Sequence, residues 1–360
     1  MRITIDATSA LLRSAGVKGY TYHWLKHLRR QAGTDDEIRA FPMLNDWDVL
    51  DHEHSALSMP ATVSRLAVLH SVNVFGSSIL DRVLRDTQIF HAGNLVRRAP
   101  TRARLTATIH DLTALIMPEV HTKAIAEADD TFAERILKRA DGLIAVSENT
   151  RQDAIRLLGV RPERIRTIYS GVPEDYFDAT PHPRNKPYVL CVGTVEPRKN
   201  LDALLDAWGV VPPDLREHFD LLVAGPQGWH ASATMARIRS ESVYLGYVPE
   251  REMPGLIAGA TLFVYPSLYE GFGFPVVQAM AANVPVLCSN TSCLPEIAGG
   301  AAALADPRSV SEIAAQLVRL LEDPEERSRL ARLGRAQAEK YKWDRCARES
   351  LDFFREVISR

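Results

Sequence analysis

The sequence predicts an α/β protein made of two parallel-sheet domains. Short β-branched runs alternate with longer helical patterns along the whole chain, as βα units do. The run Pro181-His-Pro-Arg-Asn-Lys-Pro187 breaks that alternation once, with three prolines in seven residues. The alternation then restarts at Tyr188-Val-Leu-Cys-Val-Gly193. A chain of 360 residues has the length for two cores of ordinary size.

In chain order, strands are expected at 2–6, 38–44, 88–92, 105–110, 142–146 and 166–168, with helices between them at 20–30, 124–139 and 150–158. After the break, strands are expected at 188–193, 219–224, 243–245, 261–265 and 285–288. Helices are expected at 201–208, 275–282, 310–321 and 325–339. The end of the chain reads as one amphipathic helix, with Trp343, Cys346, Leu351, Phe354 and Ile358 as its buried stripe. The expected domains are therefore 1–180, a linker at 181–187, 188–340, and a terminal helix at 341–360.

Hydrophobic residues make up 46% and charged residues 24%, a globular mixture rather than a disordered one. The formal net charge of −2 leaves no footprint for nucleic acid. No apolar run approaches the roughly 18–20 residues of a membrane span. The start, MRITIDATSA, has no signal pattern, so the expectation is a cytoplasmic protein or one on the cytoplasmic face of a membrane. Cys191, Cys288, Cys293 and Cys346 are too sparse for a disulfide framework, and they lack the spacing of a zinc site.

Four segments carry candidate chemistry. Gly193-Thr-Val-Glu-Pro-Arg-Lys-Asn200 lies between a strand and a helix. Two adjacent cations at a helix start oppose its dipole, and an anion there reverses the penalty; Arg198 supplies a fork and Lys199 a point charge, which suits a diphosphate. A solvated basic pair is the bland alternative. Glu270-Gly-Phe-Gly-Phe-Pro275 follows the strand ending at Tyr265 and places an acceptor beside a glycine turn and a helix N-terminus. A turn glutamate with a helix cap is its bland reading. Ala15-Gly-Val-Lys-Gly19 sits where a doubly wound domain carries a phosphate loop, although two glycines also fit an ordinary βα turn. Ile109-His-Asp-Leu112 puts His110 at a strand end, where a structural histidine is the commoner outcome. A Ser-His-Asp order, HExxH and a P-loop are all missing from the sequence.

In this order and spacing the four segments resemble the retaining glycosyltransferases of family 4, which have the GT-B fold of two Rossmann-like domains facing a cleft. Tyr269-Glu-Gly-Phe-Gly-Phe-Pro-Val-Val-Gln-Ala-Met280 looks like the family's E-x7-E element, with Gln278 in place of the second glutamate. The resemblance implies that Arg198 and Lys199 hold the donor diphosphate and that Glu270 accepts from a sugar hydroxyl. It implies that Gly193 and the backbone of Gly271, Phe272, Gly273 and Phe274 face the sugar and phosphates. Gly16 and Val17 approach the donor from the first domain, His110 lies near the transferred sugar, Gln278 takes the ribose, and Gly246, Tyr247 and Val248 edge the base. The terminal helix returns to the first domain.

The implied reaction moves a hexose from a nucleotide-diphosphate sugar to a hydroxyl of a glycan or lipid-linked acceptor, with no metal and no cofactor. The Glu-Pro-Arg-Lys-Asn form is similar to bacterial mannosyl- and rhamnosyltransferases of surface polysaccharides, which makes GDP-mannose the first donor expected and a UDP-sugar the second. A nucleotide-sugar 2-epimerase and a non-catalytic sugar-nucleotide binding protein are the alternatives on this fold. Peripheral membrane contact is a further expectation. Arg97, Arg98, Arg102 and Arg104 come with no acid between 97 and 104, and 63–84 is apolar with few charges.

Overall fold

The computed structural model describes residues 1–13, 16–44 and 47–360. They form two compact units. The first comprises residues 1–118, 123–171 and 343–360, and the second comprises 119–122 and 172–342.

The first unit carries strands β1 (Arg2–Asp6), β2 (Glu37–Phe41), β3 (Ile89–Ala92), β4 (Arg104–Ile109), β5 (Gly142–Ala145) and β6 (Ile165–Thr167). They pair in parallel in the order β2-β1-β3-β4-β5-β6. Ile3, Ile5, Phe90, Ala107 and Ile144 are fully or almost fully buried, as strands covered on both faces require. At the switch between β1 and β3, Asp6 accepts from the backbone N–H of Thr8 (2.9 Å) and Gly93 (3.0 Å), tying together the two loops that leave the sheet there.

Helix α1 (Gly16–Gln31) begins four residues earlier than its apolar pattern suggests, so Gly16, Val17, Lys18 and Gly19 are its first turn rather than a separate loop. Ala15 lies outside the described residues. A short 3₁₀ turn at Thr8–Leu11 takes the place expected of that loop. Helix α2 (Met59–Phe75) has no amphipathic period in the sequence: Arg65 is its one formal charge, and apolar residues occupy both its buried and exposed sides. Gly76, at φ 93°, ends it before a second helix at Ser77–Leu84.

The terminal helix Trp343–Ser359 belongs to the first unit and packs on α1. Trp343, Cys346, Leu351, Phe353, Phe354 and Val357 are buried, whereas Ile358 is only half-buried, one position off the expected stripe. The Trp24 indole donates to Ser350 Oγ (3.0 Å), and Asp344 pairs with His27 and Arg30. A Cβ on Gly142 would stand 2.7 Å from both the Phe353 ring and a Val357 methyl, so the absence of a side chain there lets the helix seat on β5.

The second unit carries β7 (Tyr188–Val192), β8 (Asp220–Ala224), β9 (Val243–Gly246), β10 (Leu262–Tyr265), β11 (Val286–Ser289) and β12 (Ala303–Ala305). Their order is β12-β11-β10-β7-β8-β9, again parallel. The chain changes unit at Gly171–Val172, ahead of the proline-rich segment. Residues 181–187 belong to the second unit, where His182 N–H donates to Gly255 (3.0 Å) and Lys186 pairs with Asp220 (2.8 Å). Backbone and side-chain bonds hold this segment to the sheet and its neighbours, so it is not a bare connector. The four cysteines are buried, and burial pushes the Cys191 and Cys288 thiols up to about 12.

Candidate functional site

In the second unit the strand order reverses between β7 and β10, and ligands of open α/β sheets bind beyond the carboxyl ends of strands at such a point. Both motif loops leave the sheet there. After β7, Glu196 precedes a 3₁₀ turn, Pro197–Lys199. Asn200 follows in the left-handed conformation, at φ 57°, and starts the helix Leu201–Gly209. Its side-chain amide donates to Pro266 O (3.1 Å) and Pro307 O (2.6 Å), which fixes the turn against the loop after β10.

That docking assembles a buried cluster of two cations and two carboxylates. Arg198 donates to Tyr269 O (2.7 Å) and Glu196 (2.8 Å), and its Nη1 lies 2.9 Å from Glu270 Oε1. Lys199 Nζ donates to the same Oε1 (2.6 Å) and to the Tyr265 hydroxyl (2.7 Å), which itself donates to Oε1 (3.0 Å). Ser267 Oγ completes the set at 2.5 Å. Oε1 is thus saturated, while Oε2 takes no hydrogen bond among the described residues.

Burial pushes the Glu270 carboxyl up, but the charges of Arg198 and Lys199, with donors from Lys199 and Ser267, outweigh it and hold its pKa at about 2. Burial and the Glu270 charge drive Tyr265 well above the usual phenol range, which keeps it a donor. The result is a rigid, ionised acceptor with one oxygen to spare, next to two preorganised cations.

The flanking loops are built for close approach. A Cβ on Gly193 would lie 3.7 Å from the Lys199 stem. Gly225, at φ 139°, would drive a Cβ to 2.0 Å from Gly193 O, so only glycine fits beneath the turn. Gly225 N–H donates to Gly246 O (2.7 Å), which brings the end of β9, with half-exposed Tyr247 and Val248, to the same sheet edge. Gly271, Phe272 and Gly273 are buried; Gly273 caps the helix Phe274–Ala281 at φ 84°, with Pro275 in its first turn. Gln278, half-buried in the second turn of that helix, has no side-chain hydrogen bond among the described residues.

In the first unit, Gly16 is exposed and Val17 half-exposed at the start of α1. His110 follows β4 and meets Tyr20, one turn further along α1, edge to face at 4.7 Å. Burial lowers the His110 pKa to about 4 against a smaller opposing effect of Asp111, so the imidazole is neutral at pH 7. His91 is deeper, bonded to Thr106 and Thr108 (3.0 Å each), with its pKa lowered to about 3 by burial and by His110.

Comparison with known proteins decides the family. A profile described as "Glycosyl transferases group 1" matches residues 173–337, and one described as "Glycosyltransferase Family 4" matches 14–176. The chain is 33% identical over 290 residues to an O-antigen chain mannosyltransferase B of Escherichia coli, covering 76% of each protein. The chain belongs to glycosyltransferase family 4. It is also 27% identical over 273 residues to the serotype-specific mannosyltransferase WbdA of E. coli, spanning about a third of that protein's length (33%). Among solved structures, a sucrose-phosphate synthase from Thermosynechococcus elongatus superposes with a TM-score of 0.77 over 100% of this chain and 99% of its own, at 19% identity. Anabaena HepE in complex with UDP and glucose gives 0.70 over 99% and 100%, at 17% identity. These likenesses establish the GT-B fold.

Within this family-4 chain, the structure brings Gly193, Arg198, Lys199, Glu270 and the glycine turn together at one sheet edge. Gly16, Val17 and His110 are elements of the first unit. Sequence reasoning missed Tyr265, Ser267, Asn200 and the backbone grip of Ser292 Oγ on Glu270 N–H (3.0 Å). Their signals were present: Tyr265 and Ser267 stand at a strand end, and asparagine tolerates the left-handed conformation that the turn requires.

Proposed function

We propose that this glycosyltransferase moves mannose from GDP-mannose to a hydroxyl of a growing surface glycan and keeps the anomeric configuration. The observation that carries the reading is the neutral cluster of Arg198, Lys199, Glu196 and Glu270 at the β7/β10 switch. Negative charge grows on a leaving diphosphate, and Arg198 and Lys199 are preorganised cations that can compensate it without reorganisation. Glu270 Oε2 is an ionised acceptor for a hydroxyl of the transferred sugar.

The relatives support the donor class: the two E. coli proteins compared above carry mannosyltransferase names, and a solved neighbour is described with UDP and glucose bound. The E. coli relative also supports a polysaccharide acceptor. The test is incubation of purified protein with GDP-mannose or UDP-glucose and a mannan acceptor, with the product's anomeric configuration read by NMR. An α-linked mannosyl product is expected. Transfer from UDP-glucose alone would replace the donor, and a β-linked product would overturn retention.

A further inference from the structure

Tyr265 ends β10, a strand paired on both sides, with β7 and with β11. Its pairing with Cys288 fixes its backbone, and the residue is 2% exposed. Two positions back on the same face of the strand stands Phe263, fully buried, with its ring stacked 6.2 Å from that of Tyr265. Phe263 fills its layer with the same ring and no hydroxyl. The core therefore asks for an aromatic ring on this face, and the phenolic oxygen has another reason to be there. Burying a hydroxyl is costly unless it is bonded. This one is bonded to Lys199 Nζ (2.7 Å) and to Glu270 Oε1 (3.0 Å), and to nothing else among the described residues.

Lys199 needs such a partner. It closes the turn Pro197–Lys199, and its four-carbon stem has many rotamers open to it. An ammonium carries three N–H donors. One goes to Glu270 Oε1 (2.6 Å), and about that single bond the ammonium could still swing. The Tyr265 hydroxyl gives it a second fixed point and closes a three-sided ring of Nζ, phenol and Oε1. Burial and the Glu270 charge keep the phenol protonated, so it accepts from Lys199 and donates to Glu270. The third N–H has no partner among the described residues. Ser267 does something different: its Oγ lies 3.1 Å from Arg198 O and 3.2 Å from Tyr269 O, so it ties the two loops together without bonding to Lys199.

We propose that Tyr265 is a positioning residue for sugar transfer: its hydroxyl fixes the Lys199 ammonium on Glu270 and leaves the remaining N–H for the leaving diphosphate. The proposal rests on the transfer reading above and adds a residue that acts through Lys199. A charge that compensates one growing during the reaction is most effective when it is held in place beforehand. Losing the hydroxyl therefore weakens the transition state more than the bound donor.

The test is steady-state kinetics of Y265F, K199A and Y265F/K199A with varied donor. Y265F keeps the ring and loses one oxygen, and urea unfolding sets the folded fraction on which kcat is based. Y265F is expected to lower kcat about tenfold or more, the effect of one hydrogen bond to a charged group, with the donor KM within about twofold of wild type. In the K199A background the same change is expected to alter kcat by less than about twofold, since no ammonium remains to be aimed. A tyrosine that only supports the fold would lower kcat by the same factor in both backgrounds, and that result would overturn the proposal. So would a Y265F enzyme with wild-type kcat beside a crippled K199A, which leaves the transfer reading standing. K199A with wild-type turnover would instead overturn the transfer reading and this proposal with it.

Discussion

Replacing Glu270 by Gln removes one negative charge from a group of two carboxylates and two cations, leaving Arg198 its pair with Glu196 and Lys199 without a carboxylate partner. The Glu270 carboxyl is held at about 2 against an ordinary value of 4.5. At about 1.4 kcal/mol per tenfold change in proton affinity, that displacement is worth about 3 kcal/mol. Breaking a buried pair by removing one partner costs about 3–5 kcal/mol, the same range. The direction with pH follows from the depressed value: the contribution is fully present above about 4.5 and is lost as pH falls towards 2. Glu270→Gln is therefore expected to destabilise the second unit by about 3 kcal/mol at pH 7, with the gap from wild type falling to about half by roughly pH 3. The assay is urea unfolding across that pH range, with buried Trp208 as the reporter. Turnover should fall about tenfold, because a neutral acceptor replaces a charged one at the sugar hydroxyl. A variant within about 1 kcal/mol of wild type at pH 7, the range of a surface pair, or a gap that does not change with pH, would refute the account of the cluster.

Three further outcomes follow from the geometry. Lys199→Ala and Arg198→Ala should each lower kcat about 10²–10³-fold, measured at saturating donor; if both retain more than roughly a tenth of wild-type turnover, neither cation serves the leaving group. Gln278→Leu should raise the donor KM with little change in kcat, and Gln278→Glu should tighten donor binding by no more than about tenfold; steady-state kinetics with varied donor reads both, and an unchanged KM in the leucine variant removes the ribose contact. His91 and His110, with pKa values lowered to about 3 and about 4, stabilise the first unit fully above about 6.5, and that stability is lost as pH falls through those values. Unfolding at pH 7 and pH 5 should differ by about 2 kcal/mol for each buried imidazole, and a flat profile would contradict their burial as neutral groups.

Much of the fold and of the site was legible in the sequence because its carriers are local. β-Branched runs such as Tyr188–Val192 announce strands by composition, and the Arg198–Lys199 pair stands out as two adjacent cations ahead of a helix. Strand β12 was not legible: its three residues, Ala303–Ala305, have no β-branched side chain, and pairing with β11 alone makes them a strand. Helix α2 was not legible either, since Val63, Leu69 and Val74 point to opposite environments and leave no period to detect. The roles of Tyr265 and Ser267 depend on the loop after β10 folding over the loop after β7. Their bonds to Lys199 and to the Arg198 carbonyl span 66 and 69 positions of chain, and no window-based pattern reports them.

The return of the last helix to the first unit has a consequence for how the protein is made. Chains emerge from the ribosome amino end first, and domains ordinarily close in that order. Here the partner of Trp24, Ser350, is made 326 residues after it. Translating the stretch from Val172 to Lys342 takes roughly 10–30 s, during which the α1 face that will receive Trp343 and Phe354 has no cover. The second unit, contiguous apart from residues 119–122, can close first, so the order of completion runs against the order of synthesis. A chain truncated ahead of Trp343 would therefore keep an open seam along α1, of the kind that chaperones and proteases recognise.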